Sequence, residues 1–227
     1  MEVIQGKQTF QMDALALARR LIGYTQILID LGTGDGRFVC HMAGARSDQF
    51  FFGVDACREN LHTHSRLVQP NALYVIANAQ ALPCELYGLA SHVTINFPWG
   101  SLLSGLLAGE PKAALLDGLV AVAQPGATLD VRLNGGALAE AGWSLEDGSE
   151  RVRQVLSANG FAIERIGAMD MLDLRACPTT WAKRLAFGRD PRARHLRGKR
   201  VGCASNSRPE GFSTPFGSMR QGRQPDW

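Results

Sequence analysis

The fold of this 227-residue chain is decided by residues 27–36, which read ILIDLGTGDG. The first five form a short apolar run around Asp30, which is typical of a strand buried in a parallel sheet. Glycines then occupy every second position, and they let the backbone turn sharply and approach a ligand without a Cβ clash. The stretch therefore predicts a strand, a tight loop and the start of a helix.

Strands and helices alternate on both sides of this loop. Further strands are predicted at residues 50–54, 73–77, 92–97, 127–133, 161–166 and 180–187, and helices at residues 13–22, 36–43, 58–68, 111–123 and 150–158. A short hairpin is predicted around Gly6-Lys7, and the glycine-rich residues 134–148 are predicted to form a long loop. This order indicates an α/β fold with a doubly wound, mostly parallel sheet, which binds ligands beyond the carboxyl ends of its strands.

Charge is unevenly distributed along the chain. Residues 183–200 carry eight basic residues and one acid, whereas the net charge of the whole chain is only +3. Such a pattern indicates either a local anionic partner or a solvated basic segment. Residues 201–227 are rich in Gly, Ser, Pro and Arg without periodicity. They predict a disordered tail behind one domain of residues 1–200, in which residues 1–12 form a hairpin extension.

Composition argues against several protein classes. No apolar run is long enough for a membrane span, and the amino terminus lacks the pattern of a signal peptide. The five cysteines are widely spaced and include no C-x-x-C pair. We therefore expect a cytoplasmic protein with reduced thiols, no membrane association and no metal site.

A cofactor site is predicted around the glycine loop. Asp30 lies two residues before the first glycine, and Asp55 ends the next strand, where a carboxylate can accept hydrogen bonds from ribose hydroxyls. A nicotinamide-dependent oxidoreductase would also carry this second acid, but its loop has the spacing G-x-G-x-x-G. The spacing G-x-G-x-G resembles motif I of class I methyltransferases, which bind S-adenosylmethionine. Residues 78–80 end the third strand and are expected to contact the adenine.

A base-binding site is predicted from two tryptophans. Trp99 follows the fourth strand within Asn96-Phe97-Pro98-Trp99-Gly100, which partly resembles the Asn-Pro-Pro-aromatic motif of amino-methyltransferases. Trp181 directly precedes the basic run. Indole rings at a strand edge suit stacking on a planar substrate, and two of them could sandwich a flipped base while nearby cations hold phosphates.

Three motifs together give a specific resemblance. They are DLGTGDGR at residues 30–37, FPWG at residues 97–100 and WAKRLAFGR at residues 181–189. In order and spacing they resemble the aminoglycoside-resistance 16S rRNA methyltransferases that modify N1 of adenine 1408, the kanamycin–apramycin type. The resemblance covers residues 1–189. It implies a class I, Rossmann-like fold with a seven-stranded sheet and an amino-terminal hairpin, and the 30S subunit as substrate.

The resemblance also assigns roles to single residues. Trp99 and Trp181 would stack on the base, and Phe97 and Pro98 would shape its edge. The expected cofactor pocket comprises Asp30, Gly32, Thr33, Gly34, Asp55, Ala79, Gln80, Asn96, Ser101 and Thr179. Contacts with rRNA are expected from Lys183, Arg184, Arg189, Arg58 and Arg66. One departure is Asn96, which stands where an aliphatic residue is expected.

The chemistry follows from the substrate. Adenine N1 has a free lone pair at neutral pH, so its methylation needs no general base and rests on holding N1 in line with the methyl group. S-Adenosylhomocysteine would be the product, and a monomer is expected. One alternative is methylation of the exocyclic N6, with Asn96 accepting hydrogen bonds from the amino group. Another is a non-catalytic rRNA-binding protein that kept the fold.

Overall fold

The computed structural model describes residues 1–108, 114–188 and 190–202. Its strands are β1 (Glu2–Gln5), β2 (Gln8–Gln11), β3 (Ile27–Leu31), β4 (Phe50–Asp55), β5 (Ala72–Ile76), β6 (Ala90–Asn96), β7 (Ala123–Asn134), β8 (Phe161–Met169) and β9 (Ala193–Arg200). Its α-helices are α1 (Ala14–Leu21), α2 (Arg37–Ala45), α3 (Arg58–Ser65), α4 (Gly100–Ala108), α5 (Ala114–Val122), α6 (Gly135–Glu140), α7 (Leu145–Ala158), α8 (Met171–Ala176) and α9 (Thr180–Phe187).

Within these ranges the strands form one sheet in the order β2-β1-β5-β4-β3-β6-β7-β9-β8. The strands from β5 to β7 are parallel, and β9 runs antiparallel between β7 and β8. The predicted hairpin is present, and it extends the seven-stranded sheet by pairing β1 antiparallel to β5. The prediction of a doubly wound, mostly parallel sheet is therefore confirmed.

The seventh strand was predicted in the wrong place. Thr180–Phe187 is helix α9, because Thr179 caps it and Ala182, Leu185 and Ala186 fall at helical spacing on its buried side. The seventh strand is β9, inside the basic run. Its pattern is hidden in the sequence because cations occupy half of its positions and Leu196 is its one large apolar side chain.

Residues 134–148 were predicted as a long loop, and this too is wrong. Asn134 accepts from the backbone N–H of Ala137 at 2.7 Å and begins α6, while Ser144 accepts from that of Asp147 at 3.0 Å and begins α7. Helices α4 and α8 were not predicted. The predicted helix start at Pro111 and the tail from residue 203 onward lie outside the described residues.

The core lies on both faces of the sheet. Helices α1, α4, α5 and α7 cover one face, and α2 and α3 cover β3, β4 and β5 on the other. A smaller cluster around Phe97 holds α8 and α9 against the carboxyl end of β6. No helix in the described ranges is both long and apolar enough to span a membrane.

One buried carboxylate ties β6, β7 and β9 together. Asp130 lies on the middle strand of the three and contacts Nε2 of His92 at 2.6 Å and Nε2 of His195 at 2.5 Å. Burial alone would raise the pKa of Asp130, but hydrogen bonds from His195 and His92 outweigh it and hold this pKa well below its usual range. These contacts attach β9, the strand that the sequence analysis missed, to the neighbouring strands.

Candidate functional site

A cleft of about 420 Å³ opens at the carboxyl ends of β3, β4, β5 and β6. Every residue predicted for the cofactor pocket lines it: Asp30, Gly32, Thr33, Gly34, Asp55, Ala79, Gln80, Asn96, Ser101 and Thr179. The four residues predicted for the base site also line it: Phe97, Pro98, Trp99 and Trp181. The sheet thus brings together side chains that are spread from residue 30 to residue 181 of the sequence.

The glycine loop forms one wall of this cleft. Gly32 and Gly34 have φ values of +70° and +60°, a region that side chains rarely adopt. A Cβ on Gly32 would lie 2.5 Å from Cδ2 of Leu102. The loop is attached to β4, since the N–H groups of Gly32 and Thr33 donate to the carbonyl of Val54 at 2.9 and 3.0 Å.

Asp30 is the buried acid of the site. Its Oδ1 accepts from Oγ1 of Thr94 at 2.6 Å and from Nδ2 of Asn96 at 2.8 Å. Its Oδ2 and the Oγ1 of Thr33 are buried without a hydrogen-bond partner among the described residues. Burial raises the pKa of Asp30 to about 6 against the opposing effect of its hydrogen bonds. Two polar atoms in a ligand-sized cleft therefore remain for a bound molecule to satisfy.

Asp55, the last residue of β4, holds the glycine loop in place. Its Oδ2 accepts from the N–H of Gly34 at 2.8 Å, and its Oδ1 accepts from the N–H of Cys57 at 2.9 Å. After the end of β5, the side chain of Asn78 accepts from the N–H of Gln80 at 2.9 Å. This contact fixes the turn that carries Ala79 into the cleft. Together with the free atoms of Asp30 and Thr33, this donor and acceptor set fits S-adenosylmethionine.

The two predicted tryptophans stack directly on each other. Their ring centroids are 5.6 Å apart with 11° between the planes, and the side chains are 42% (Trp99) and 38% (Trp181) exposed. The guanidinium carbon of Arg184 lies 5.2 Å from the centroid of the Trp181 ring, on the same helix. The mouth of the cleft thus carries a flat, partly exposed aromatic surface with a cation beside it.

Phe97 occupies a special position behind this surface. Its φ is +54°, the one positive value for a residue other than glycine in the described part of the chain. Its side chain is only 2% exposed and packs in the cluster with Leu174 of α8 and Leu185 of α9. The backbone of Phe97 turns the chain toward Trp99, and its ring anchors the helix that carries Trp181.

Helix α9 begins inside the cofactor cleft. Thr179 caps the helix by accepting from the N–H of Ala182 at 2.8 Å. Thr180 donates from its Oγ1 to Oδ2 of Asp35 in the glycine loop at 2.7 Å. The sequence did not single out Thr180 or Asp35, because each acts through a partner far away in the chain.

The predicted rRNA-binding residues fall on two surfaces. Arg184 lines the cleft, and Lys183 is exposed beside it on α9. Arg58 and Arg66 lie at the two ends of α3, next to the hairpin, where Arg58 donates to the carbonyl of Lys7 at 2.9 Å. Arg189 lies outside the described residues.

Comparison with known proteins identifies the family. The profile of the NpmA family, described as 16S rRNA (adenine(1408)-N(1))-methyltransferase, matches residues 2–200. A protein of that name from Escherichia coli is 30% identical over 208 residues, covering 83% of this chain and 94% of the relative. One from Streptoalloteichus hindustanus is 30% identical over 207 residues, covering 84% and 94%.

Solved structures give the same result. The antibiotic-resistance methyltransferase Kmr shares 35% identity with a TM-score of 0.73, covering 89% of this chain and 99% of its own. A Catenulisporales acidiphilia 16S rRNA (adenine(1408)-N(1))-methyltransferase variant, crystallised with S-adenosylmethionine, shares 27% identity with a TM-score of 0.79, covering 90% and 98%. This chain belongs to the 16S rRNA (adenine(1408)-N(1))-methyltransferase family.

Proposed function

We propose that this protein transfers a methyl group from S-adenosylmethionine to N1 of adenine 1408 in the 16S rRNA of the 30S subunit, and so confers aminoglycoside resistance. Membership of the family favours methyl transfer over nicotinamide redox chemistry. The observation that carries the proposal is the stacked pair of Trp99 and Trp181 at the mouth of a cleft that fits the cofactor.

The tryptophan pair can clamp a flipped base only after it opens. A base between two rings needs two stacking steps of roughly 3.4 Å each, about 6.8 Å in all, whereas the centroids of Trp99 and Trp181 are 5.6 Å apart. The rings must therefore separate by at least about 1 Å. The indole stack of the free protein is exchanged for two base–indole stacks, so the base gains contact on both faces.

The catalytic work of the chain is then positioning. When bound, S-adenosylmethionine supplies the electrophilic methyl group. Trp99 and Trp181 hold the base so that the lone pair of N1 points along the transfer axis, and no residue needs to remove a proton. N1 methylation makes the base cationic, and the faces of the two indoles favour that developing charge.

The contacts of Asn96 argue against the N6 alternative. Its Nδ2 donates to Asp30 at 2.8 Å, and its Oδ1 accepts from Arg132 at 2.7 Å. The side chain is only 8% exposed. An amide that is held from both ends in this way is poorly placed to receive an exocyclic amino group, so N1 is the better supported target.

The test is labelled-methyl transfer to purified 30S subunits, with the product mapped by primer extension. N1 methylation blocks the Watson–Crick face and stops reverse transcriptase at adenine 1408, whereas N6 monomethylation lets it pass. Binding of S-adenosylhomocysteine without transfer would favour the non-catalytic alternative. A rise in the aminoglycoside concentration that inhibits bacteria expressing the chain tests resistance.

Trp181→Ala tests the clamp itself. Base stacking is worth about 1–3 kcal/mol, so kcat/KM for 30S should fall roughly 5- to 150-fold. Trp181→Phe keeps a ring face and should retain most activity, and S-adenosylhomocysteine affinity should not change. Trp143→Ala is the matched control, because Trp143 is 36% exposed and does not line the cleft. Near-normal turnover by Trp181→Ala would overturn the clamp.

The same proposal covers three further points. Contacts of Lys183, Arg184, Arg58 and Arg66 with rRNA phosphates, action as a monomer and a cytoplasmic location all stay predictions. Each phosphate contact that a variant removes should weaken 30S binding. It should also reduce, by about one, the slope of the logarithm of the binding constant against the logarithm of the salt concentration. A measured salt slope that does not change in the Arg58 or Arg66 variants would place the rRNA on the α9 surface alone.

A further inference from the structure

A hydrogen-bonded relay runs from β7 through β6 to the buried acid of the cofactor cleft. Nη1 of Arg132 donates to Oδ1 of Asn96 at 2.7 Å, and Nδ2 of Asn96 donates to Oδ1 of Asp30 at 2.8 Å. The relay fixes the amide in one orientation. A guanidinium has only donors and an ionised carboxylate has only acceptors, so the amide must turn its oxygen to Arg132 and its nitrogen to Asp30.

The relay leaves one oxygen of Asp30 free. Oδ1 takes the donors from both Asn96 and Thr94, while Oδ2 is buried without a partner among the described residues. A buried acceptor without a partner costs free energy, which a ligand recovers by placing a donor there. A cationic donor recovers most, because charge-assisted hydrogen bonds are the strong ones. The amino-acid part of S-adenosylmethionine carries such a cation, its α-ammonium group.

We propose that Arg132 and Asn96 are positioning residues for the cofactor, which hold Asp30 so that its Oδ2 receives the α-ammonium group. The inference rests on the proposed function, from which it takes the cofactor. Arg132 does not itself line the cofactor cleft and acts through Asn96. Asn96 stands where the family resemblance leads us to expect an aliphatic residue, which could not form this relay.

The charge of Arg132 also acts on Asp30. Burial raises the pKa of Asp30 to about 6, while the nearby hydroxyls of Thr33 and Thr94, the amide of Asn96 and, last, the charge of Arg132 oppose the rise. Without Arg132 the carboxyl therefore stays protonated to a higher pH, and a protonated carboxyl is a poor partner for an ammonium group. Other titratable groups nearby are Tyr74, Cys177, Asp35, Asp55 and, behind Asp35, His64. Burial raises the pKa of both Tyr74 and Cys177, so neither ionises near neutral pH.

The test compares two ligands by isothermal titration calorimetry. S-Adenosylhomocysteine carries the amino-acid part, and 5′-methylthioadenosine lacks it. In Arg132→Met and in Asn96→Leu, affinity for S-adenosylhomocysteine should fall roughly 10-fold at neutral pH, the lower end for a hydrogen bond to a charged group. Affinity for 5′-methylthioadenosine should change less than about 2-fold. Arg132→Lys keeps the charge and a donor, and should restore most of the loss.

A pH series adds a readout that a merely structural role would not move. In the wild type, affinity for S-adenosylhomocysteine should rise with pH through about 6 as Asp30 ionises. In Arg132→Met the midpoint of this rise should move to a higher pH, because the compensating charge is gone. The double variant should lose no more than either single variant, since both break the same relay.

Two results would overturn the relay. One is an equal loss of affinity for both ligands, which would mean that the variants only disturb the fold of the cleft. The other is an unchanged affinity for S-adenosylhomocysteine. Asn96→Leu keeps the test decisive if Arg132→Met does not fold, because it introduces the family's expected residue type. Methyl transfer to 30S is measured separately on the wild type, so its failure would be distinguishable from failure of the relay.

Discussion

Phe97→Ala tests whether the buried ring behind the clamp acts through packing or touches the base. The Phe97 side chain is 2% exposed and packs between α8 and α9, against Leu174 and Leu185. Trp181 lies on the same helix, α9. Loss of the ring should therefore loosen α9 and separate Trp181 from Trp99, although both tryptophans remain in the chain.

The size of the effect follows from burial. Replacing a fully buried phenylalanine by alanine costs about 3–5 kcal/mol. Each kcal/mol lowers the Tm of a domain of this size by about 2–4 °C, so a fall of about 6–20 °C is expected. The backbone gives a second test, because holding Phe97 at a φ of +54° costs about 1–3 kcal/mol that glycine avoids. Phe97→Gly should therefore be more stable than Phe97→Ala, the reverse of the usual order.

Calorimetry measures the Tm, and the exciton couplet of the stacked indoles in circular dichroism measures the clamp. Phe161→Ala is the matched control, since Phe161 is 1% exposed and lies in the core of the opposite face. Both variants should lose stability, but only Phe97→Ala should lose the couplet and 30S methylation at a temperature where both are folded. Lost activity in Phe97→Ala with an unchanged Tm and an intact couplet would refute the packing role and place the ring against the base.

Two further predictions concern the loop and the buried carboxylate. Gly32→Ala places a Cβ 2.5 Å from Cδ2 of Leu102 at a φ of +70° inside the cleft, so calorimetric titration should show weaker S-adenosylhomocysteine binding. Gly142→Ala is the control, because Gly142 has a similar φ of +82° but does not line the cleft, and it should bind normally. Asp130→Asn removes a carboxylate whose pKa is lowered in the folded protein. The contribution of this carboxylate to the free energy of unfolding is fully present above its unfolded pKa of about 3.9, and it is lost as the pH falls through the folded pKa. Urea unfolding should therefore show a deficit of about 1–3 kcal/mol at pH 7 that narrows below about pH 4, and a deficit that does not depend on pH would contradict the linkage.

The sequence predicted those parts of the site that depend on local pattern. The glycine loop directly follows β3, Asp30 and Asp55 lie at the carboxyl ends of β3 and β4, and the ends of parallel strands must meet at one edge of the sheet. Arg132 and Thr180 escaped because their partners lie 36 and 145 positions away, and no local pattern records such a contact. Strand β9 escaped for another reason, since its cations lie on both faces of the strand and mask the period of two.

The mistaken strand at residues 180–187 shows what the helix contributes to function. Successive side chains point to opposite faces in a strand, whereas in a helix they turn by about 100° per residue. Thr179, Thr180 and Trp181 therefore point in three directions from one turn: into the helix cap, onto Asp35 of the glycine loop and onto Trp99. A strand could not place three consecutive residues on three different partners. The start of α9 thus connects the glycine loop with the tryptophan pair.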